Sequence, residues 1–353
     1  MKTECVGSVY GGEAERAERD QTGGDAVMLL RRILLTSVLT AGLTSAALAQ
    51  TMGIATNPQG SLYYAVGSAV SQVVSNKTKH QLRVQPMGGS STYVPTINQG
   101  QIEFGLLNVI DPAFAWEGVE NFKGQPPAKN LRLVAVIFQL PIGIAVVDNS
   151  PYKSLADLKG VRMPAEFTAQ STIRFVQDAV LANAGLATKD MQGVPVRDYV
   201  QGMRLLGEKR VDAALMGVGA AQAQEVNAKL QSDGGIRFLN LAESPEAAKR
   251  MQEIMPAYTY RQQPSSAIPG VKEGGATLMT YSAFIVSSSH VKDDVVYDIV
   301  KTVHDNAKEL AAAHGSLRRF NPERMSEVHK VEWHPGAIKF YKEIGQWPPK
   351  GSK

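Results

Sequence analysis

Cysteine is nearly absent from this chain: among 353 residues there is one, Cys5. Internal disulfides and cysteine-bound metals are therefore excluded, and stability has to come from an apolar core. Excess charge is equally scarce. Lys plus Arg number 37 against 33 Asp plus Glu, a net +4 scattered along the chain. That is too little for the basic face nucleic acid requires, so no nucleic-acid partner is expected. Catalytic spacings are missing as well, since no G-x-x-x-x-G-K-[ST], G-x-S-x-G, H-E-x-x-H or C-x-x-C occurs. S-x-x-K is found at Ser150–Lys153 and Ser289–Lys292 without its companion motifs, and reads as two solvated turns. His329 and His334 lie near Glu327 and Glu332 at a spacing that fits no standard metal site. A non-enzyme with no cofactor and no metal is expected.

Long apolar runs are also rare. The one stretch that could meet a membrane is Met28–Ala49, in which Arg31 and Arg32 precede the apolar Ile33–Leu43 and an A-x-A sequence, Ala47-Leu48-Ala49. This pattern is a secretory signal with cleavage after Ala49. Thr36, Ser37, Thr40, Gly42, Thr44 and Ser45 interrupt the run too often for an uncleaved anchor. Residues 1–27 are polar and of mixed charge, unlike a normal signal start, which makes Met28 the better initiator. No cysteine stands at the cleavage region to carry a lipid. A protein of the bacterial periplasm, acting as a monomer, is expected.

What remains is ordinary globular composition, 44% hydrophobic and 7% aromatic, over a length that suits about two domains. After Thr51, short β-branched runs alternate with amphipathic ones, the mark of an α/β fold with mostly parallel sheets. Strands are predicted at Met52–Thr56, Leu82–Met87 and Ile102–Leu107, with helices at Ser61–Asn76 and Tyr93–Asn98 between them. Leu131–Phe138 and Ile142–Val147 read as two apolar runs broken by Pro141, and Ser154–Gly160 as a short capped helix. A second α/β unit follows, from Val161–Met163 through helices at Ser171–Ala184, Tyr199–Lys209 and Ala220–Leu230. The long run Thr277–Ser287 then precedes a helix over Asp293–Ala313. The economical arrangement is two lobes, residues 50–142 with 283–353 and residues 143–282, joined by crossing hinge strands.

Open α/β sheets bind ligands beyond the carboxyl ends of their strands. Small polar residues recur there: Thr56–Tyr64 after strand one, Met87–Thr92 after strand two, Ala165–Thr172 in the second unit and Gly217–Gly219 after Val211–Met216. Each alone reads equally as an ordinary cap or turn. Their recurrence in both units points to a shared cleft, where free amides at helix starts could hold an anion without Lys or Arg. Tyr63 and Tyr64 could supply a ring wall, one of them being core.

The order G-S-L-Y-Y-A-V-G (60–67), M-G-G-S (87–90), Q-G-Q-I-E-F-G-L (99–106), K-N-L-R (129–132), K-S-L-A-D-L-K-G (153–160), R-V-D-A (210–213) and H-P-G-A-I-K-F-Y-K-E-I-G (334–345) resembles the TAXI-type solute receptors of tripartite ATP-independent periplasmic (TRAP) transporters, over residues 51–345. The resemblance implies a periplasmic binding protein-like fold of two α/β lobes. It further implies capture of a small organic anion, a carboxylate or amino acid, for delivery to an ion-gradient-driven TRAP permease. A binding protein of an ATP-driven importer, or a ligand-presenting sensor, would share the fold. The positions implied to face the ligand are Ser61, Tyr63, Ser90, Ser91, Asn108, Gln170, Ser171, Gly217 and Gly219. The sequence departs from the family at Asn57–Gly60, Leu107–Val109 and Phe167–Ser171, which predicts a narrower and less polar pocket.

Overall fold

The computed structural model describes residues 51–350. The leader, the signal, its cleavage after Ala49 and Cys5 lie outside the described residues. No helix among the described residues is long and apolar enough to cross a membrane.

The first strand, β1 (Thr51–Thr56), runs into helix α1 (Leu62–Lys77), which forms because Val66, Ala69, Val70, Val73 and Val74 make one buried face. Ser61 caps it by accepting a hydrogen bond from the Tyr64 amide, and Thr78 closes its other end on the Val74 carbonyl. Strand β2 (Gln81–Pro86), helix α2 (Ser90–Asn98), strand β3 (Phe104–Asn108) and the short helix α3 (Asp111–Glu117) complete this half. β1 pairs in parallel with both β2 and β3.

Strand β4 (Leu131–Val147) is continuous where a break at Pro141 was predicted. A strand residue points its N–H and C=O to the same side, and the Pro141 carbonyl accepts from Val218 on the side away from its Thr280 partner. The missing proline donor falls on the Val218 side, so the ladder to the strand of Thr280 survives. The second unit contains β5 (Arg162–Ala165), α4 (Ile173–Ala182), β6 (Gln192–Pro195), α5 (Tyr199–Gly207), β7 (Ala213–Gly217), α6 (Ala221–Lys229), β8 (Ile236–Phe238), α7 (Pro245–Gln252) and β9 (Tyr258–Gln262). The turn at Leu155–Leu158 is a 3-10 turn rather than an α-helix, with Asp157 accepting from the Ser154 amide. Neither β6 nor β9 was anticipated; both are short, partly exposed and poor in alternating apolar residues.

The chain returns through β10 (Ala276–Ser288), buried along its whole length, to helices α8 (Asp293–Asp305), α9 (Ala307–Ala313) and α10 (Pro335–Glu343). The single helix predicted over Asp293–Ala313 is broken at Asn306, which leaves helical geometry and donates its side-chain amide to the Thr302 carbonyl. β4 and β10 pair antiparallel from Met279–Ile142 to Ser288–Leu131, with two register shifts, and change their other partners midway. Towards Ser288, β10 pairs with β3; towards Ala276 it pairs with β9, while the Ile142–Val147 end of β4 pairs with β7 and β8. Two neighbouring strands thus belong to both α/β units, giving the expected two-lobed α/β fold with crossing strands. The sheet is mixed rather than mostly parallel, because both crossing strands pair antiparallel with all their neighbouring strands.

The H-P-G-A sequence starts α10, a helix the apolar periodicity did not reveal. His334 Nδ1 accepts from the Gly336 amide, and a Cβ on Gly336 would lie 2.1 Å from the Asp293 carbonyl oxygen at the start of α8. Gly336→Ala is therefore expected to lower stability by about 1–3 kcal/mol in urea unfolding. A variant as stable as the wild type would show that the two helix starts can part freely.

Candidate functional site

The carboxyl ends of β1, β2 and β3 and the loop before α4 converge on one buried cavity. It is lined by Asn57 and Tyr63 from the β1–α1 segment, Ser90 and Tyr93 of α2, Asn108 and Asp111 around the β3–α3 turn, Gln170, Thr172 and Ile173 from the second lobe, and Tyr281 of β10. Its volume is about 10 Å³, close to what one water occupies. The lobes lie against each other here and leave no room for an organic molecule.

Direct contacts hold the closure. Ser90 Oγ lies 3.0 Å from Thr172 Oγ1, and Ser91 Oγ lies 3.2 Å from Ser171 Oγ. Thr172 Oγ1 donates to Asp111 Oδ1 at 2.7 Å, and the Asn121 amide donates to Thr172 Oγ1 at 2.9 Å and to Ser91 Oγ at 3.2 Å. A Cβ on Gly89 would come 2.7 Å from the Ala169 carbonyl oxygen, so glycine is what lets the two loops approach. The loop before α4 is itself strained: Glu166 and Phe167 both take positive φ, 68° and 44°, with the Phe167 ring buried.

Asp111 is the one charged side chain in the lining. It is 3% exposed, and burial, opposed only by hydrogen bonds from Thr172, Ser90 and Asn121, pushes its carboxyl up to about 6. No Lys, Arg or His lines the cavity. The phenols are neutral: burial raises Tyr63, Tyr93 and Tyr281 well above the usual tyrosine value. Tyr93 donates to the Leu106 carbonyl at 2.5 Å, whereas the buried Tyr63 hydroxyl, facing Tyr281, has no well-formed hydrogen bond.

Of the nine residues expected to face a ligand, Tyr63, Ser90, Asn108 and Gln170 line this cavity, and Ser91 and Ser171 meet across its rim. The acceptor oxygens of two are already used. Asn108 Oδ1 caps α3 through the Ile110 and Asp111 amides, and Gln170 Oε1 accepts from Tyr199. Ser61 faces a different groove, beside Gln59, Arg204 and Gln222. Gly217 donates its amide to the Tyr199 hydroxyl, and Gly219 packs against Ser316, so neither reaches the cavity. The reason is local: the β7 end is covered by Tyr199 and the C-terminal segment, while the starts of α2 and α4 meet each other.

Asp111, Tyr93, Ile173 and Tyr281 were not anticipated, while Asn57 and Thr172 lay in the polar strand-end stretches without being singled out. An acid at the first turn of a helix is ordinary dipole chemistry, so Asp111-Pro112 gave no signal beyond its place after a strand end. His329 and His334, considered above as metal ligands, each turn Nε2 to a backbone carbonyl, of Val109 and Val291. Glu327 accepts from Ser282, and Glu332 pairs with Arg132.

Two lobes sharing a pair of strands and closing on a cavity at the strand ends define the architecture of periplasmic solute-binding proteins. Solved structures bear this out at the level of fold. A protein described as a periplasmic transporter aligns over 85% of this chain and 94% of its own, with a TM-score of 0.55 and 14% identity. The PhnD1 protein of Prochlorococcus marinus MIT 9301, solved with methylphosphonate, aligns over 84% and 99%, with a TM-score of 0.50 and 11% identity. A Bordetella bronchiseptica RB50 protein aligns over 84% and 98%, with a TM-score of 0.51 and 16% identity. Residues 54–345 match the NMT1-like family model, and the chain belongs to that family.

The buried acid sets a pH dependence. Its folded-state value, about 6, lies above the ordinary 3.8, so between these the folded protein binds more protons than the unfolded chain. Its contribution to stability is therefore largest below pH 3.8 and declines as pH rises through 6. Asp111→Asn should be more stable than the wild type at pH 7.5, by up to about 3 kcal/mol, with the gain vanishing near pH 4. Urea unfolding at both pH values checks this; a variant weaker at both would mean that the lost acceptor outweighs the relieved charge.

Proposed function

We propose that this chain is a periplasmic solute receptor that captures a small organic solute between its lobes and delivers it to a membrane transporter. The observation that carries this reading is the set of hydroxyl and amide contacts from both lobes around one buried cavity, Ser90–Thr172, Ser91–Ser171 and Thr172–Asp111. Groups so placed are complete only when the lobes are together, so a solute touching both favours the closed form. The hinge of this receptor is the pair of shared strands, with lobe boundaries at 142/143 and 282/283, beside the Pro141–Thr280 pairing. The secretory signal read in Met28–Ala49 supports a periplasmic location.

The ordered motifs support a TAXI-type TRAP permease as the partner. The two-lobed fold supports a receptor of an ATP-driven importer more directly, because it calls for no subfamily. The gene beside this one decides between them: fused membrane subunits without an ATPase mark the first, an ATPase the second. For the solute, the resemblance supports an organic anion, carboxylate or amino acid. The lining favours the amino-acid side of that pair, since a bare anion would meet Asp111 with no cation to offset it.

A thermal-shift screen of the chain from Gln50 against carboxylates, keto acids and amino acids tests the receptor reading. A solute at a hundred times its Kd adds about 2.7 kcal/mol, a shift of several degrees. Gly89→Ala and Ser90→Trp, which hold the lobes apart, should fold normally and lose that shift. An undiminished shift in both would place the ligand elsewhere.

A further inference from the structure

We infer that Asp111 is the ligand-reading group of the interlobe cavity, and that the solute it reads presents a protonated nitrogen rather than a bare carboxylate. The inference rests on the receptor reading and deepens it. Around Asp111 the lining offers hydroxyls of Ser90 and Thr172, side-chain amides and three phenols, and among them no cationic side chain. On the C-terminal segment, His329 faces the Val109 carbonyl, and burial lowers its pKa. At pH 7.5 a carboxyl that titrates near 6 is mostly ionised, so the cavity holds a negative charge with only hydrogen bonds to balance it.

Such a site is completed by a positive charge with N–H donors. A second acceptor stands ready for it. The Tyr63 hydroxyl is 94% buried with its residue, lines the same cavity and lacks a well-formed hydrogen bond. An ammonium group has three donors, enough for Asp111, Tyr63 and one further acceptor. A carboxylate has none, and in this lining it would add like charge to like. The chain's own cations stay outside: Arg197 pairs with Asp198, and Arg204 bonds Gln222 in neighbouring grooves. A zwitterionic amino acid fits if its carboxylate lies towards these grooves or the helix starts, with its ammonium inward.

The test is calorimetric titration at pH 7.5 with matched probes: alanine against propionate, γ-aminobutyrate against butyrate, glutamate against glutarate, and butylamine alone. Wild type should bind one or more of the nitrogen-bearing probes and bind the matched carboxylate at least about tenfold more weakly. Asp111→Asn, checked for folding by its melting curve, should lose at least about tenfold on the probe that binds. Tyr63→Phe, which keeps the ring, should lose a few fold. Carboxylates that bind as well as their amino counterparts, or more tightly to Asp111→Asn, overturn the inference and leave the receptor reading intact. Binding of a nitrogen-bearing probe that Asp111→Asn does not weaken also overturns it. If no probe of either kind binds at millimolar concentration, the receptor reading fails and the inference with it.

Discussion

A carboxylate enclosed without a counter-charge is the constraint around which the cleft is arranged. Asp111 sits at the end of the first lobe's third strand, and the group bonded to it at 2.7 Å, Thr172 Oγ1, belongs to the second lobe. The contact between the lobes both supplies that hydrogen bond and shields the acid from water. The two effects oppose each other, and burial wins, because the carboxyl is held at about 6 in spite of its donors. The closed arrangement is thus tensioned by its own charge. Asn121, bonded to both Thr172 and Ser91, ties the second lobe's hydroxyl into the network on the first lobe's side.

Much of the architecture was legible in the chain because its local signals agree with its tertiary fate. Ser61 caps the helix that its spacing announced, and Val66, Val70, Val73 and Val74 bury the face that the periodicity marked. Gly89 and Ser90 were visible as a turn into a helix start, and they meet the turn before α4. Where reading failed, a tertiary neighbour had overruled a local rule. Pro141 did not break its strand, because the side on which it lacks a donor needs only an acceptor. Helix α10 hides behind a glycine chosen for contact with the Asp293 carbonyl rather than for helix propensity.

The site was legible in part, and for the same reason. Residue types that announce a turn are shared by caps, linkers and ligand sites, and only the fold decides among them. Gly217 and Gly219 occupy a strand end like the others, yet Tyr199 and Ser316 cover them. Asp111 carried a conventional helix-start signature, so nothing in its sequence context separated a surface acid from a buried one. Its importance follows from what is missing around it, and an absence of neighbouring cations becomes visible only in three dimensions.

The shared pair of strands has a mechanical corollary. β4 and β10 lie side by side and are paired from Met279–Ile142 to Ser288–Leu131, so over that stretch they form a ribbon rather than two independent tethers. A ribbon bends readily across its face and resists shear along its plane. In the proposed receptor such a ribbon would steer the lobes along one arc and bring Ser90 and Ser91 back to Thr172 and Ser171 in the same alignment.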